Sequence, residues 1–336
     1  MKLINRIQEF STTHNRLMAA PLAGYPGTQL TKTTVVDAIQ QATLQAEILI
    51  MMQEHFGFDV IFPFMDLSVE AEALGLEIEF HDNGAPDVRE HPVASTEDLK
   101  SFLIPHPATA GRMKVFTDTI RLVKTHIHTT TKEILVAGYV SSPFTLAGLL
   151  MGAENIAINT LLDVEFCHAC IDFATSCVIP YAQAQQEAGA DSVVLLDPTA
   201  VLLSPSLYDT FVKPSIEKVA KALDIPVILH VCGQTTPIMK NLASTQVDAL
   251  SLDSDVNLPD IMPLIPDDMV IIGNIHPVDI LLHAEPKEVY RETVHLIKQM
   301  RHYQNFILSS GCDLPAQTPL QNIAAFMQAA CKNLDN

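Results

Sequence analysis

Short apolar runs recur along the chain, separated by longer stretches whose apolar positions return every three or four residues. The runs near 17–22, 59–65, 134–140, 192–196, 227–231, 249–252, 270–275 and 306–308 are apolar on both faces, as buried strands are. The stretches 34–55, 117–129, 160–188, 206–223 and 286–302 have helical periodicity. Buried strands alternating with amphipathic helices predict a parallel sheet covered by helices. Eight such units in 336 residues predict a (β/α)8 TIM barrel, a single domain over residues 1–336. A doubly wound open sheet is the alternative. Residues 75–107 (LEIEFHDNGAPDVREHPVASTEDLKSFLIPHP from position 76) hold turn formers and charges without a clean period, and are expected to be an insertion on the catalytic rim. The chain shows no repeat, low-complexity tract or linker.

Barrel enzymes build their sites where strands end. Polar groups fall at those ends here: Asp66, Ser142, Asp197, His230 with Cys232, Asp253, Asn274 and Cys312. The segments ILHVCGQTTP and ILSSGCDLPAQTP stand out. A His and a Cys two apart on a strand point to the same side, and Cys312 at the end of another strand can join them. One imidazole and two thiolates suit zinc, and three protein ligands leave a fourth position open for chemistry. The bland alternative is a buried strand with a satisfied His and a packed Cys. Cys167, His168 and Cys170 in FCHAC look like metal spacing, but they lie with Cys177 in an unbroken helical stretch and read as core. His126 and His128 sit near a helix end, and His55, His91 and His106 have no partners in sequence. Cys331 reads as a helix-face residue without a role.

Charge narrows the partners. Twenty Lys and Arg against 39 Asp and Glu give a formal −19, a field that repels phosphate backbones and argues against nucleic acid. Six cysteines in so long a chain make no disulfide framework, and the N-terminus has no signal-peptide core; a cytoplasmic protein is expected. The stretch ILVAGYVSSPFTLAGLLMGA (134–153) runs 20 residues without a charge, about the length of a membrane span. Ser141, Ser142 and Pro143 at its centre mark a turn and a helix start, so a buried strand and helix are expected and no membrane span.

Taken together, FPFMDLSVEAEALG (62–75), GYVSSPFTLAGLLMG (138–152), QEAGADSVVLLDP (186–198), HVCGQTTPIM (230–239), ALSLDSDVNLP (249–259), IIGNIHPVDILLHAEPKEV (271–289) and SSGCDLPAQTPLQNIAAF (309–326) resemble the uroporphyrinogen decarboxylase superfamily. Within it they are most similar to the methylcobamide:coenzyme M methyltransferases. The resemblance implies a (β/α)8 barrel with zinc at His230, Cys232 and Cys312, and a thiol substrate taking the remaining position. By analogy with the distantly related cobalamin-independent methionine synthases, Asp253 is a candidate fourth ligand. The decarboxylases use no metal and carry an arginine-rich N-terminal segment for the tetrapyrrole carboxylates. The corresponding stretch here, NRLMAAPLAGYPGTQL, has one Arg. The first 30 residues match the coenzyme M enzymes poorly, which leaves the thiol unnamed.

The activity so implied is transfer of a methyl group from a methylated corrinoid to a thiol such as coenzyme M. The corrinoid is too large to enter a barrel and is expected on a partner corrinoid protein. Asp66, Ser142, Asp197 and Gln234 are candidates for orienting the thiol or the corrinoid, with a structural role equally open for Asp66. Two other readings remain: a cofactor-free decarboxylase, and a non-catalytic barrel that binds a corrinoid or a thiol.

Overall fold

A computed structural model of the protein describes residues 2–130 and 133–332. Seven parallel strands form one curled sheet: β1 (Val60–Ile61), β4 (Leu135–Ser141), β5 (Ser192–Leu196), β6 (Val227–Val231), β7 (Ala249–Leu252), β8 (Val270–Ile275) and β9 (Phe306–Ser310), in that spatial order. A separate antiparallel hairpin pairs β2 (Ile78–His81) with β3 (Gly84–Val88). Helices Ala42–Phe56, Met113–Ile127, Val164–Glu187, Lys213–Lys221, Pro286–Met300 and Leu320–Ala330 lie among the connections. The strands of the seven-stranded sheet are buried on both faces because helices cover its outer side, whereas the hairpin strands are partly exposed.

Side-chain alternation splits the core in two. Phe62, Leu135, Ala137, Tyr139, Val194, Leu196, Ile228, Ala249, Val270, Ile272 and Ile307 form one apolar cluster on the concave face, together with Met18, Ala20 and Leu22. The residues between them face the helices in the larger cluster. With a period of two, His230 follows Ile228, Ser251 follows Ala249 and Ser309 follows Ile307 on the concave side. The apolar filling thus gives way to polar groups near the strands' C-terminal ends.

Six of the eight expected strands are present nearly as foreseen. The other two are shorter for a shared reason. In 59–65 only Val60–Ile61 is strand, and in 17–22 only Ala19 pairs, through a parallel bridge to Leu308. Pro63 and Pro21 interrupt these runs, and proline has no N–H for a ladder. The segment still spans the gap between the sheet's edges: Ala20 N–H donates to Leu308 O at 2.8 Å, and Asp59 N–H donates to Ala19 O at 3.0 Å. Residues 75–107 lie in the connection leaving β1, where an insertion was expected. They are more ordered than their composition suggests, because Asp82-Asn83 closes the β2–β3 hairpin. Arg112 lies 5.0 Å from the centre of the Phe80 ring and pins that hairpin to the rim.

The uncharged stretch 134–153 resolves into β4 and the buried helix Pro143–Met151. Among the described residues no single helix is long and apolar enough to cross a membrane; Pro143–Met151 and Ala153–Leu162 meet at a bend of 101°.

Gly311 leaves β9 against the turn that leaves β7: a Cβ there would stand 2.4 Å from Ser254 N and 3.1 Å from Asp253 C. Backbone atoms cannot rotate away as a side chain would. Gly311→Ala is expected to lower the unfolding free energy by about 1–3 kcal/mol, read from urea denaturation. An unchanged midpoint would show that the two turns are loosely packed.

Candidate metal centre and active site

Two strand ends meet at three donor atoms. His230 Nε2 lies 3.3 Å from Cys232 Sγ and 3.7 Å from Cys312 Sγ, and the two sulfurs are 3.6 Å apart. Among the described residues these three form the one group of His, Cys, Asp or Glu whose ligand atoms converge closely enough to share an ion. A tetrahedral zinc with bonds of about 2.3 Å to sulfur and about 2.0–2.1 Å to nitrogen has S···S edges of about 3.7 Å and S···N edges of about 3.5 Å. The donor set and its spacing fit such an ion without rearrangement.

Each ligand is held from behind. The register pairs His230 with Ser251, and Ser251 Oγ lies 2.9 Å from His230 Nδ1. That bond orients the ring so that Nε2 faces the sulfurs. His230 is 1% exposed. Gly233 N–H, next to Cys232, donates to Asp253 Oδ2 at 2.8 Å, and Asn274 Nδ2 holds the same turn through Asp253 O and Val256 O. Asp253 thus braces the Cys232 turn; it is not a member of the converging group. The two thiols are within hydrogen-bonding distance of each other. A hydrogen bond from Cys232, and then the neighbouring His230, lower the Cys312 thiol against the cost of burial. That same bond, with burial, raises Cys232.

The tentative substrate residues are all in the mouth loops, and each is engaged by the chain itself. Asp66 accepts from Arg112 and from Ser68 N and Oγ, while Arg112 also binds Glu72 at 2.7 Å. Ser142 caps the helix Pro143–Met151 by accepting from Thr145 N–H, and it donates to Asp197 Oδ1 at 2.6 Å. Asp197 also accepts from Thr145 Oγ1 at 2.9 Å; it is fully buried, and burial raises its carboxyl to about 6 against these hydrogen bonds. Its Oδ2 has no partner among the described residues. Gln234 bridges the Thr236 N–H and the Asp255 carbonyl at the surface. The decoys stay apart from the site. Cys167 and Cys170 are buried in the helix Val164–Glu187, and burial pushes both thiols up to about 12. His168 stacks on Phe211, His126 lies 3.0 Å from Glu54 and His91 is 2.7 Å from Leu149 O. Cys331 is exposed at the end of Leu320–Ala330.

Sequence reasoning passed over Ser251, Glu70, Tyr139 and Asp313. Ser251 was within reach, since it precedes Asp253 by two on the same strand. Tyr139 and Asp313 lie inside segments already singled out, but nothing in a sequence says that a buried phenol or carboxylate lacks a partner. Among the described residues, Tyr139 Oη and Asp313 Oδ2 do lack one.

The profile of the uroporphyrinogen decarboxylase (URO-D) family matches residues 23–332. The chain belongs to that family. Among its relatives, a methylated-thiol–coenzyme M methyltransferase of Methanosarcina mazei is 29% identical, over 96% of this chain and 89% of the relative. The methylcobamide:CoM methyltransferase MtbA of Methanosarcina acetivorans is 27% identical, over 94% and 96%. A uroporphyrinogen decarboxylase of Psychromonas ingrahamii is 25% identical, over 86% and 83%. A solved methyltransferase from Methanosarcina mazei superposes with a TM-score of 0.85 at 23% identity, covering 96% of this chain and 97% of that one, and so shares the fold.

Glu70 gives the mouth a measurable pH signature. It is fully buried; burial raises its carboxyl from 4.5 to about 7, opposed by hydrogen bonds from Ser141 N–H and Oγ. Because the folded-state pKa is the higher one, the folded chain holds the extra proton through this window. Stability therefore falls as pH rises from about 4.5 to 7 and is level above. Glu70→Gln removes that titration, so its stability relative to the parent should climb by up to about 3 kcal/mol across the window. Urea denaturation at pH 4.5–8 measures it, and a pH-independent difference would mean that Glu70 is ionised throughout.

Proposed function

We propose that this protein is a zinc-dependent corrinoid:thiol methyltransferase that moves a methyl group from a methylated corrinoid, carried by a partner corrinoid protein, to a small thiol such as coenzyme M. The observation that carries the reading is the convergence of His230 Nε2, Cys232 Sγ and Cys312 Sγ at tetrahedral edge lengths. Relatives named for methylcobamide and coenzyme M support the substrates. The Ala19–Leu308 bridge and the Asp59–Ala19 hydrogen bond support closure of the sheet as a single-domain (β/α)8 barrel. Six unpaired cysteines, three of them buried, favour a reducing, cytoplasmic setting.

Zinc on these three residues would supply Lewis acidity that makes a thiolate from a thiol whose free pKa is about 8.5. The chain's own groups do the rest. Ser251 fixes the His230 ring, Asp253 fixes the turn of Cys232, and Gly311 seats Cys312 against both. Cys232 and Cys312 bring two negative charges that keep the acceptor sulfur electron-rich. In the transfer a C–S bond forms as the Co–C bond breaks. Its electron pair stays on cobalt, which passes from Co(III) to Co(I), and the thiol proton goes to solvent. Asp66, Ser142, Asp197 and Gln234 shape the mouth through the loops they brace. A decarboxylase acting on a polycarboxylate is disfavoured, because the Arg side chains of the connection leaving β1 are already paired, Arg112 with Asp66 and Glu72 and Arg89 with Glu77 and Glu79.

Protein purified without chelator should contain about one zinc per chain and should convert methylcobalamin and a thiol to Co(I), followed by the cobalt absorbance. His230→Ala, Cys232→Ser and Cys312→Ser should each lose both metal and turnover, whereas Cys167→Ser and Cys170→Ser keep them. Full zinc retention in Cys312→Ser would sink the site. Metal without turnover on any thiol would favour a non-catalytic binding barrel.

A further inference from the structure

The two sulfurs of the site are held close by the chain itself. Cys232 Sγ and Cys312 Sγ stand 3.6 Å apart on the turns that leave β6 and β9, 80 residues distant in sequence. One turn braces both. Asp253 Oδ2 accepts from Gly233 N–H at 2.8 Å, and Gly311 packs on Asp253 and Ser254 so closely that a Cβ would stand 2.4 Å from Ser254 N. Neither cysteine moves away from the other without breaking a contact of its neighbour. Both are half-buried, so a small molecule can reach them. Cys167, Cys170 and Cys177 are fully buried in the helix Val164–Glu187 and shielded from the same molecule. Cys331 is exposed, at the end of Leu320–Ala330.

Sulfurs in a disulfide lie about 2.03–2.05 Å apart, so this pair has about 1.5 Å to close, a distance that side-chain rotation covers. Oxidation by a peroxide takes two displacements. One sulfur attacks a peroxide oxygen, the O–O bond breaks, and a sulfenic acid forms as one water leaves. The second sulfur then attacks the first; an S–S bond forms, the S–O bond breaks, and the oxygen leaves as a second water. The two thiols give up two electrons and two protons, and hydrogen peroxide takes both. A thiol waiting at 3.6 Å traps the sulfenic acid before more peroxide carries it to the irreversible sulfinic acid. A disulfide carries neither thiolate charge, which leaves the His230 imidazole alone to hold a metal ion that takes three protein ligands here.

We infer that Cys232 and Cys312 form a reversible redox latch: under peroxide they join as a disulfide, the site loses its zinc while the fold stands, and a dithiol reopens it. The bond rests on the geometry of the chain, and its effect on turnover rests on the zinc methyltransferase reading. The latch suits that reaction, because the Co(I) product is a strong reductant that an oxidising setting consumes. The large core lies outside the three donors, so closing the latch disables the site and spares the barrel.

The test treats the full chain, metal-free and zinc-loaded, with hydrogen peroxide, then blocks the remaining thiols and digests without reductant. Free thiols should fall by two, from six to four. The peptides of Cys232 and Cys312 should appear as one linked species, about 2 Da below their summed mass. In the zinc-loaded protein about one zinc should be released per linked pair, read with a chromogenic chelator. Dithiothreitol and zinc should restore the thiol count and the metal, and the helical circular dichroism should stay constant throughout. Cys312→Ser should give no linked peptide and should accumulate sulfinic acid at Cys232, while Cys331→Ser links as the parent does. Linkage of a different pair overturns the inference, as does sulfinic acid as the main product at Cys232 or Cys312 in the parent. So does a linked protein that keeps its zinc or loses its helical signal. Linkage in a chain that takes up no zinc would count against the zinc reading alone. A zinc-loaded chain that transfers methyl groups and never links would count against the latch alone.

Discussion

The parallel register of β6 through β9 is the constraint on which the site depends. It sets His230 opposite Ser251 and brings Ile275 level with Ser310, so neighbouring strands end together in pairs, β6 beside β7 and β8 beside β9. The side-chain period of two then decides which groups face the concavity. A slip of one residue in β6 would turn His230 and Cys232 toward the helices and leave Cys312 alone. The register is protected by burial on both faces, since a slip would also expose the alternating apolar set. Packing of the strands and placement of the ligands are therefore one requirement met by one pattern.

A second requirement is that the sulfurs stay close before any ion arrives. Two thiols at 3.6 Å with an imidazole at 3.3 Å can share protons among themselves, which lowers Cys312 and ties up Cys232. The turns that hold them are braced by backbone contacts: Gly233 to Asp253, Gly311 to Ile275 O, and the close pass of Gly311 over Ser254. None of these bonds needs a metal. The large core likewise lies outside the three donors, so folding and metal capture are separable here, unlike in a small zinc-stabilised domain.

What the sequence disclosed followed from periodicity. Strands β5 to β8 have the bounds their apolar runs suggest, because buried parallel strands are written in unbroken aliphatic residues. His230, Cys232 and Cys312 were legible as residue types that rarely gather at two strand ends by chance. The edge segments were overcalled because Pro21 and Pro63 deny ladder bonds that their apolar neighbours invite. The hairpin was undercalled because its turn, Asp82-Asn83, sits among charges that hid its short strands. Ser142 and Asp197 directly follow β4 and β5 as expected, while Asp66 lies beyond the short β1 and Gln234 in the loop after β6; a sequence cannot show that Arg112, Thr145 or Thr236 already engages these side chains. Unsatisfied groups such as Tyr139 Oη belong to the same blind spot, since satisfaction is a property of neighbours distant in the chain.

Family membership leaves the chemistry open between decarboxylation and methyl transfer, and the disposition of charge separates them. A tetrapyrrole with many carboxylates needs a cationic mouth. This chain keeps many of its Lys and Arg on outer faces, as in Arg6 and Lys124 on Asp191, Lys218 on Asp172 and Arg291 on Glu288. The mouth segments hold carboxylates instead, and three sulfur or nitrogen donors at their centre. A soft, electron-rich centre in an acidic frame is suited to stabilising a cation and to activating a thiol. It is unsuited to gathering anions. The distinction between the two activities therefore rests on an electrostatic property of the loops.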